Sequence, residues 1–293
     1  MLQHDTLVIF GSGYTARFVL PPASHYYTHV FATSRAPDNH LGHVPAAQRI
    51  RFDLAEPDTW NAIPHQADIL WFFPAAPLAL VTRFASTLVA SSRRLVVLGS
   101  TSAYDVSDSR EYPPPWIDET APVDLTKPRV QGEEFLRTTC GAIVLRVAGI
   151  YGPGRNPIDW IRDGRVSPSR RYVNLIHVED LAAICLTALE QGRPGEAYNV
   201  SDGTPHTWNE ICVTAQQRWG VTAAAIKENR STGKRISNAK LRAEICYTLK
   251  HLDLYEALAL IKSAGKVHPQ DGQNGFQQGP RREGTGGVPS GVR

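Results

Sequence analysis

Two clusters in this 293-residue chain have residue types and spacing suited to chemistry. Gly11-Ser12-Gly13-Tyr14-Thr15-Ala16 follows the apolar run Thr6-Leu7-Val8-Ile9-Phe10. An apolar, β-branched run that stops at two glycines one residue apart reads as a strand turning tightly into a helix. The first glycine permits the turn, the second leaves the backbone bare for a pyrophosphate, and the small Ala16 lets helix and strand lie close. N–H groups at the start of that helix, at the positive end of its dipole, then face the phosphates. The second cluster is Ser100-Thr101-Ser102-Ala103-Tyr104, a set of hydroxyls after the apolar Leu95-Val96-Val97-Leu98. In a doubly wound sheet, ligands sit beyond the carboxyl ends of the strands, so these hydroxyls would border a substrate. The competing readings are a plain strand–helix turn and a set of turn hydroxyls bonded to backbone.

The end of the next expected strand, His29-Val30-Phe31-Ala32-Thr33, selects the nucleotide. Ser34 and Arg35 follow it. An NAD site commonly has Asp or Glu there to bond the ribose hydroxyls, whereas the arginine fork suits the added 2′-phosphate of NADP. NADP(H) is the expected cofactor, NAD the alternative, and Thr33 and Ser34 stand ready to add hydroxyl bonds. The competing reading of Arg35 is a solvated loop arginine.

These groups need a frame. Candidate strands at 6–10, 29–33, 49–53, 67–73, 94–99 and 142–147 alternate with helical patterns at 55–63, 78–92 and 129–139. Such alternation predicts an α/β, Rossmann-type doubly wound parallel sheet. Pro21-Pro22 predicts a short first helix. A loopier stretch follows from 148, then helices at 179–191, 206–218 and 253–264 and a short strand at 196–200. The expected division is a core over 1–147 and a small C-terminal lobe, intermixed with it, over 148–265. Residues 266–293 carry too few large apolar side chains to offset their ordering entropy and are expected to be disordered.

Composition narrows the function classes. The chain is 42% hydrophobic and 20% charged with a net charge of +3, an ordinary globular profile with length for a full core. Its basic residues are scattered, without the stripe that nucleic-acid binding needs. The apolar stretch from Ile69 to Val81 is too short to span a membrane and is broken by Pro74 and Pro77. Asp5 and the immediate entry into a strand argue against a signal peptide. Cys140, Cys185, Cys212 and Cys246 lie far apart, without metal-ligand spacing, and read as buried, reduced thiols of a cytoplasmic protein.

Later segments add a resemblance. Leu145-Arg146-Val147-Ala148-Gly149-Ile150-Tyr151-Gly152-Pro153-Gly154-Arg155 is followed by Ile176-His177-Val178-Glu179-Asp180, Tyr198-Asn199-Val200 and Arg235-Ile236-Ser237-Asn238-Ala239-Lys240-Leu241. With the glycine-rich start and the Ser-Thr-Ser-Ala-Tyr run, the chain resembles the extended short-chain dehydrogenase/reductases, the NAD-dependent epimerase/dehydratase superfamily, over residues 5–262. The compact lobe and the Arg235 segment look most like its atypical, YeeZ-like branch. The resemblance implies that Gly11, Ser12, Gly13, Tyr14, Thr15, Ala16, Ser34 and Arg35 hold the cofactor phosphates and that Asp53 bonds the adenine amine. It places Pro74 and Ala75 along the cofactor ribose and Ile150 and Tyr151 against the nicotinamide. Ser100 takes the position of the catalytic Ser/Thr, four residues before Tyr104. Thr101 and Ser102 stand where dehydratases carry acid/base carboxylates, which argues against a sugar-nucleotide dehydratase. The resemblance also implies homodimers, through helices that include 129–139.

One departure limits it. The family's Tyr-x-x-x-Lys pair opens the helix before the sixth strand, where the tyrosine moves the proton and the lysine lowers its pKa. Here that helix reads Thr126-Lys127-Pro128-Arg129-Val130-Gln131-Gly132-Glu133-Glu134. Anchored on Glu134, the two positions hold Thr126 and Val130; on Glu133, Leu125 and Arg129; on Lys127, Val123 takes the tyrosine position. No register supplies the phenol. Tyr104 on the facing loop is a candidate substitute, against a reading as a packed aromatic. The Glu111–Glu119 loop, with three consecutive prolines, borders the substrate or is a rigid connection. Two functions remain open: an NAD(P)-dependent oxidoreductase or epimerase-like enzyme on a small, perhaps sugar-related, substrate, or a non-catalytic dinucleotide sensor.

Overall fold

The computed structural model describes residues 4–105, 109, 111–224 and 231–267. β1 (His4–Phe10) turns into α1 (Tyr14–Ala23) and returns as β2 (Tyr27–Ser34), with β3 (Arg49–Arg51) beside it. β4 (Ala67–Trp71), α2 (Leu78–Ser91), β5 (Ser92–Ser100), α3 (Pro128–Thr139) and β6 (Ile143–Val147) complete the expected alternation. A short parallel pair follows, β7 (Gly149–Tyr151) with β8 (Leu175–His177), then α4 (Val178–Gln191), β9 (Ala197–Val200), α5 (Trp208–Trp219) and α6 (Leu254–Val267). The main sheet has seven parallel strands in the order β9-β6-β5-β4-β1-β2-β3. Strand order reverses between β1 and β4, and a doubly wound sheet opens its ligand crevice at such a point.

Alternation along the strands divides the core. Leu7, Ile9, Leu70, Val96, Ile143 and Leu145 face α1 and α4. Val8, Phe10, Ile69, Trp71, Val97 and Val144 face α2 and α3. Each such side chain, fully buried, contributes about 1.5–3 kcal/mol. β9 and α4, expected in the C-terminal lobe, complete this sheet and cover one of its faces. The lobe's separate core is smaller, built from Tyr151, Ile158, Leu175, Ile211, Leu254 and Leu258.

Local departures from expectation have local causes. The 55–63 segment is a six-residue 3₁₀ helix, Pro57–Ala62, because the Thr59 hydroxyl and Trp60 indole both bond back to the Asp53 carbonyl. α1 runs through Pro21 and Pro22 and stops at Ala23; the prolines sit in its last turn, where their missing N–H groups end it. Cys185 and Cys212 are buried, but Cys140 is half-buried and Cys246 exposed, so two of the four thiols are not core residues; none is disulfide-bonded. Lys266 and Val267 continue α6. The rest of the tail lies outside the described residues. No helix among the described residues is long and apolar enough to cross a membrane.

Two buried points matter for stability. A Cβ on Gly132 of α3 would stand 1.8 Å from the Ala75 carbonyl oxygen. Gly132→Ala must push the helix off the loop after β4, so a loss of about 1–3 kcal/mol or more in urea denaturation is expected. Asp202, just after β9, is buried with Oδ2 unpartnered, and burial raises its pKa to about 7. The unfolded chain releases this proton near pH 4 and the folded chain only near 7, so the group's contribution to stability falls as pH rises between the two. Asp202→Asn should gain on the wild type across that window, by on the order of 2–4 kcal/mol at its upper end, in paired denaturation curves.

Candidate functional site

The site begins at the end of β1. Gly11 adopts φ +90, a conformation that side chains rarely accept. Its N–H donates to the Thr33 hydroxyl at 3.2 Å, and the Ser12 hydroxyl donates to the Thr33 carbonyl at 2.9 Å. Thr33 is buried and ties the turn to β2, its hydroxyl accepting the Gly11 N–H. Gly13 caps α1 without a side-chain bond, so no side chain covers the first N–H groups of the helix there. Nothing lies within 4 Å of where a Gly13 Cβ would stand. A bare backbone at an uncapped helix start is what a pyrophosphate needs.

Two cavities meet at Gly13 and Phe73 to form one cleft. The larger, of about 480 Å³, runs past Gly11, Ser12, Ser34, Arg35 and Asp53. Arg35 is exposed there. The Ser34 hydroxyl is engaged by His40 Nδ1 and by the Ala36 N–H, and Asp53 accepts the Ala55 N–H. The smaller, of about 260 Å³, is lined by Tyr14, Thr15, Ala16, Pro74 and Ile150 together with Gly99, Arg129 and Arg155. All the residues expected to hold the dinucleotide thus line one cleft, except Ala75 and Tyr151. Tyr151 is buried in the lobe's core. Ala75 is buried in the core beneath α3, and its neighbours Pro74 and Ala76 take the wall instead.

The hydroxyl cluster is placed differently. Ser100 ends β5 next to Gly99, and its Oγ accepts the Ser102 N–H at 3.1 Å. The carbonyls of Thr101 and Ser102 are held by Lys234 (2.8 Å) and Lys127 (2.6 Å), and both lysines also pair with Asp105. Tyr104 points away from the dinucleotide cleft. Its hydroxyl donates to Asn199 Oδ1 at 2.7 Å and accepts from buried Arg146 at 2.8 Å, and burial raises its pKa. The packed-aromatic reading is the one the geometry supports, because both of its hydroxyl bonds go to buried protein groups, Asn199 and Arg146. Tyr104 also borders a separate pocket of about 310 Å³ with Lys234, Arg171 and the proline loop at Pro114 and Pro115. His177 and Asp180 are structural as well. His177 caps α4, and Asp180 accepts bonds from Tyr247, Lys250 and His251.

Arg129 lines the cleft, whereas Leu125 and Thr126 are exposed and Val130 is buried in the fold. Of the registers left open, only the one anchored on Glu133 puts a cleft-lining residue, Arg129, at the lysine position. Glu133 is 1% exposed, its Oε1 takes Arg129 Nε (3.0 Å) and Nη2 (2.9 Å), and burial pushes its carboxyl up against the pull of Arg129. Its Oε2 has no partner and would stand 2.7 Å from a Cβ on Gly99. Arg129 and Arg155 were legible as motif residues, but only their shared cavity marks them as site residues.

Fold and cleft together define a Rossmann-type α/β protein with an open cleft at the carboxyl ends of its strands. No family model matches the chain. Over 114 residues it is 31% identical to Protein YeeZ of Escherichia coli (strain K12), a stretch covering 36% of this chain and 39% of YeeZ, well under two thirds of that relative's length. A functionally unknown conserved protein from Silicibacter pomeroyi DSS superposes with TM-score 0.71 at 27% identity, over 89% of this chain and 99% of that one. A UDP-N-acetylglucosamine 4-epimerase from Methanobrevibacter ruminantium M1, in complex with UDP-N-acetylmuramic acid, gives 0.70 at 12% identity over 92% and 100%. A dTDP-glucose 4,6-dehydratase from Bacillus anthracis str. Ames, in complex with NAD, gives 0.67 at 16% over 90% and 98%. The chain is similar in sequence to YeeZ over part of its length, and in fold to these solved structures over most of it.

Removing the Tyr104 hydroxyl tests its structural role. Tyr104→Phe should lose about 1–3 kcal/mol in urea unfolding, because Arg146 and Asn199 are left short of a buried partner. Titration with NADPH should show unchanged affinity.

Proposed function

We propose that this protein binds NADP(H) in the cleft and acts as an oxidoreductase or epimerase-like enzyme on a small, sugar-related substrate. The observation that carries the reading is the continuous cleft from the Gly11–Gly13 turn to Ile150, with Arg35 at its outer end. The strained Gly11, the uncapped start of α1 and the open Gly13 fit a pyrophosphate, and the exposed Arg35 guanidinium fits a 2′-phosphate. The NAD bound to the Bacillus anthracis dehydratase and the UDP-sugar bound to the epimerase support the same ligand classes here. A bound nicotinamide would supply hydride exchange beside Gly99 and Ile150. Ser100, one residue beyond Gly99, is the candidate to orient a substrate hydroxyl; its own proton is free to be donated.

A second reading, a dinucleotide sensor without turnover, draws on the cleft's proton donors. Tyr14 is the sole phenol among the lining residues; burial pushes its pKa up to about 12, and its hydroxyl donates to the Pro153 carbonyl at 3.0 Å. General acid–base help worth roughly 10²–10⁴-fold is then missing from its usual place.

Two measurements separate these readings. Arg35→Ala should weaken NADPH binding by about tenfold or more and barely change NADH, since charge-assisted bonds contribute about 1.5–3 kcal/mol; unchanged NADPH affinity removes the NADP assignment. Turnover on a panel of carbonyl and sugar substrates, abolished in Ser100→Ala, favours the enzyme. Tight cofactor binding with no hydride transfer on any substrate favours the sensor.

A further inference from the structure

A different polar cluster lies where β8, α4 and the approach to α6 meet. His177 ends β8, Glu179 stands in the first turn of α4, and His251 lies three residues before α6 begins. None of the three lines either cavity of the cleft. One ligand atom from each, two imidazole nitrogens and a carboxylate oxygen, lie within 4.8 Å of one another. His251 Nε2 is 3.0 Å from Glu179 Oε2. That is close to the ~3.3 Å edge of a tetrahedron with bonds of ~2.0–2.1 Å to a central cation. The ring centroids of His177 and His251 are 3.7 Å apart, and the Tyr151 ring steadies His177 at 5.2 Å. The side chains are held from behind. Buried Asp180 accepts the N–H groups of Lys250 and His251 at 2.8 and 3.0 Å, and the Tyr247 hydroxyl at 2.8 Å, which fixes where His251 leaves its backbone. His177 is buried, and its Nδ1 takes the Glu179 N–H at 3.3 Å, a long bond that a stronger partner can replace. Glu179 is 50% exposed, so solvent ions reach the cluster from that side.

We propose that His177, Glu179 and His251 bind a divalent transition-metal cation, Zn²⁺ above all, with water in the fourth position. The proposal does not depend on the cofactor reading. Two imidazoles and one carboxylate make a donor set that suits Zn²⁺, whereas Mg²⁺ and Ca²⁺ take oxygen ligands. The start of α4 is the positive end of a helix dipole and by itself disfavours a cation; the carboxylates of Glu179 and Asp180 offset it. Asp180 also supplies what a metal site needs behind its ligands, a fixed group that orients the chain carrying one of them. The cation serves as a staple. It joins the end of β8 and the first turn of α4 to the segment entering α6, and α6 supplies Leu254, Ala257 and Leu258 to the lobe's core. Without it the Glu179–His251 pair is the direct side-chain link between α4 and His251, and a partly exposed pair of this kind contributes little. The competing reading is a helix cap beside one ion pair, with no cation.

The test uses the full chain without added histidines, stripped of metal with EDTA and titrated calorimetrically with zinc chloride. One Zn²⁺ per chain should bind, and saturating Zn²⁺ should raise the urea midpoint, since a ligand of the folded state stabilises it. His251→Ala and Glu179→Gln should each weaken binding by more than the roughly 10–100-fold typical of changes behind the ligands. Both should also remove the Zn²⁺-dependent rise in the urea midpoint. His251→Gln stands in for His251→Ala if that variant does not fold. Co²⁺ in place of Zn²⁺ should give the visible bands of a tetrahedral site without a thiolate charge-transfer band. Cys246→Ser, which removes the exposed thiol, should bind Zn²⁺ as the wild type does. Absence of stoichiometric Zn²⁺ binding to the metal-free wild type overturns the proposal and leaves the cap and the ion pair. Undiminished binding in either the His251 or the Glu179 variant overturns it too, as does a thiolate band with Co²⁺, which would assign the cation to cysteine.

Discussion

The contact of Gly132 with the Ala75 carbonyl sets the geometry on which the rest of the cleft depends. Only a residue without a side chain lets α3 lie this close to the loop after β4. That approach sinks Glu133 beneath Gly99, where no water reaches it, and leaves its charge dependent on Arg129. A buried carboxylate without a partner is costly, so the pair holds Arg129 at the cleft wall as firmly as Arg129 holds Glu133. The inner end of the dinucleotide cleft is therefore shaped by backbone packing on one side of the sheet and by one ion pair.

The opposite wall is built by a different device. The Gly11 turn is tied to Thr33, and the 152–155 loop is tied to Tyr14. Between them, the first turn of α1 stays uncapped by side chains. At the inner end of the cleft the Tyr14 phenol fastens backbone, and backbone N–H groups and two arginines stand among the polar groups of its wall. Such a surface is suited to anions and holds few groups able to exchange a proton. That imbalance is the main chemical difference between this cleft and the one its resemblance implies.

Much of the frame was legible in the chain. The β-branched runs and the glycine spacing located the parallel sheet and the phosphate turn, because strand burial and left-handed backbone leave direct marks in composition. Arg35, Asp53, Pro74 and Ile150 followed from position relative to strand ends and from the resemblance, and all line the cleft. Thr33 and Ser34 both line the larger cavity, where the Thr33 hydroxyl accepts the Gly11 N–H and the Ser34 hydroxyl is engaged by His40 and the Ala36 N–H. Ala75 departs from its expected place and Tyr104 takes its packed-aromatic alternative for a common reason: position after a strand fixes which loop a residue occupies, not whether its side chain turns inward. Asn199 and Arg146, which capture Tyr104, come from strands distant in sequence.

The sequence by itself determined the Rossmann alternation, the glycine turn, the arginine at the end of β2 and the lack of a Tyr-x-x-x-Lys pair. All of these are local, written in residues a few positions apart. Only the tertiary structure decided the close approach of α3 to the loop after β4, the membership of β9 in the main sheet and the placing of Arg129 and Arg155 on one cavity. Each of those depends on which surfaces pack together, and a close backbone approach or a shared cavity has no signature in the spacing of residues along one segment.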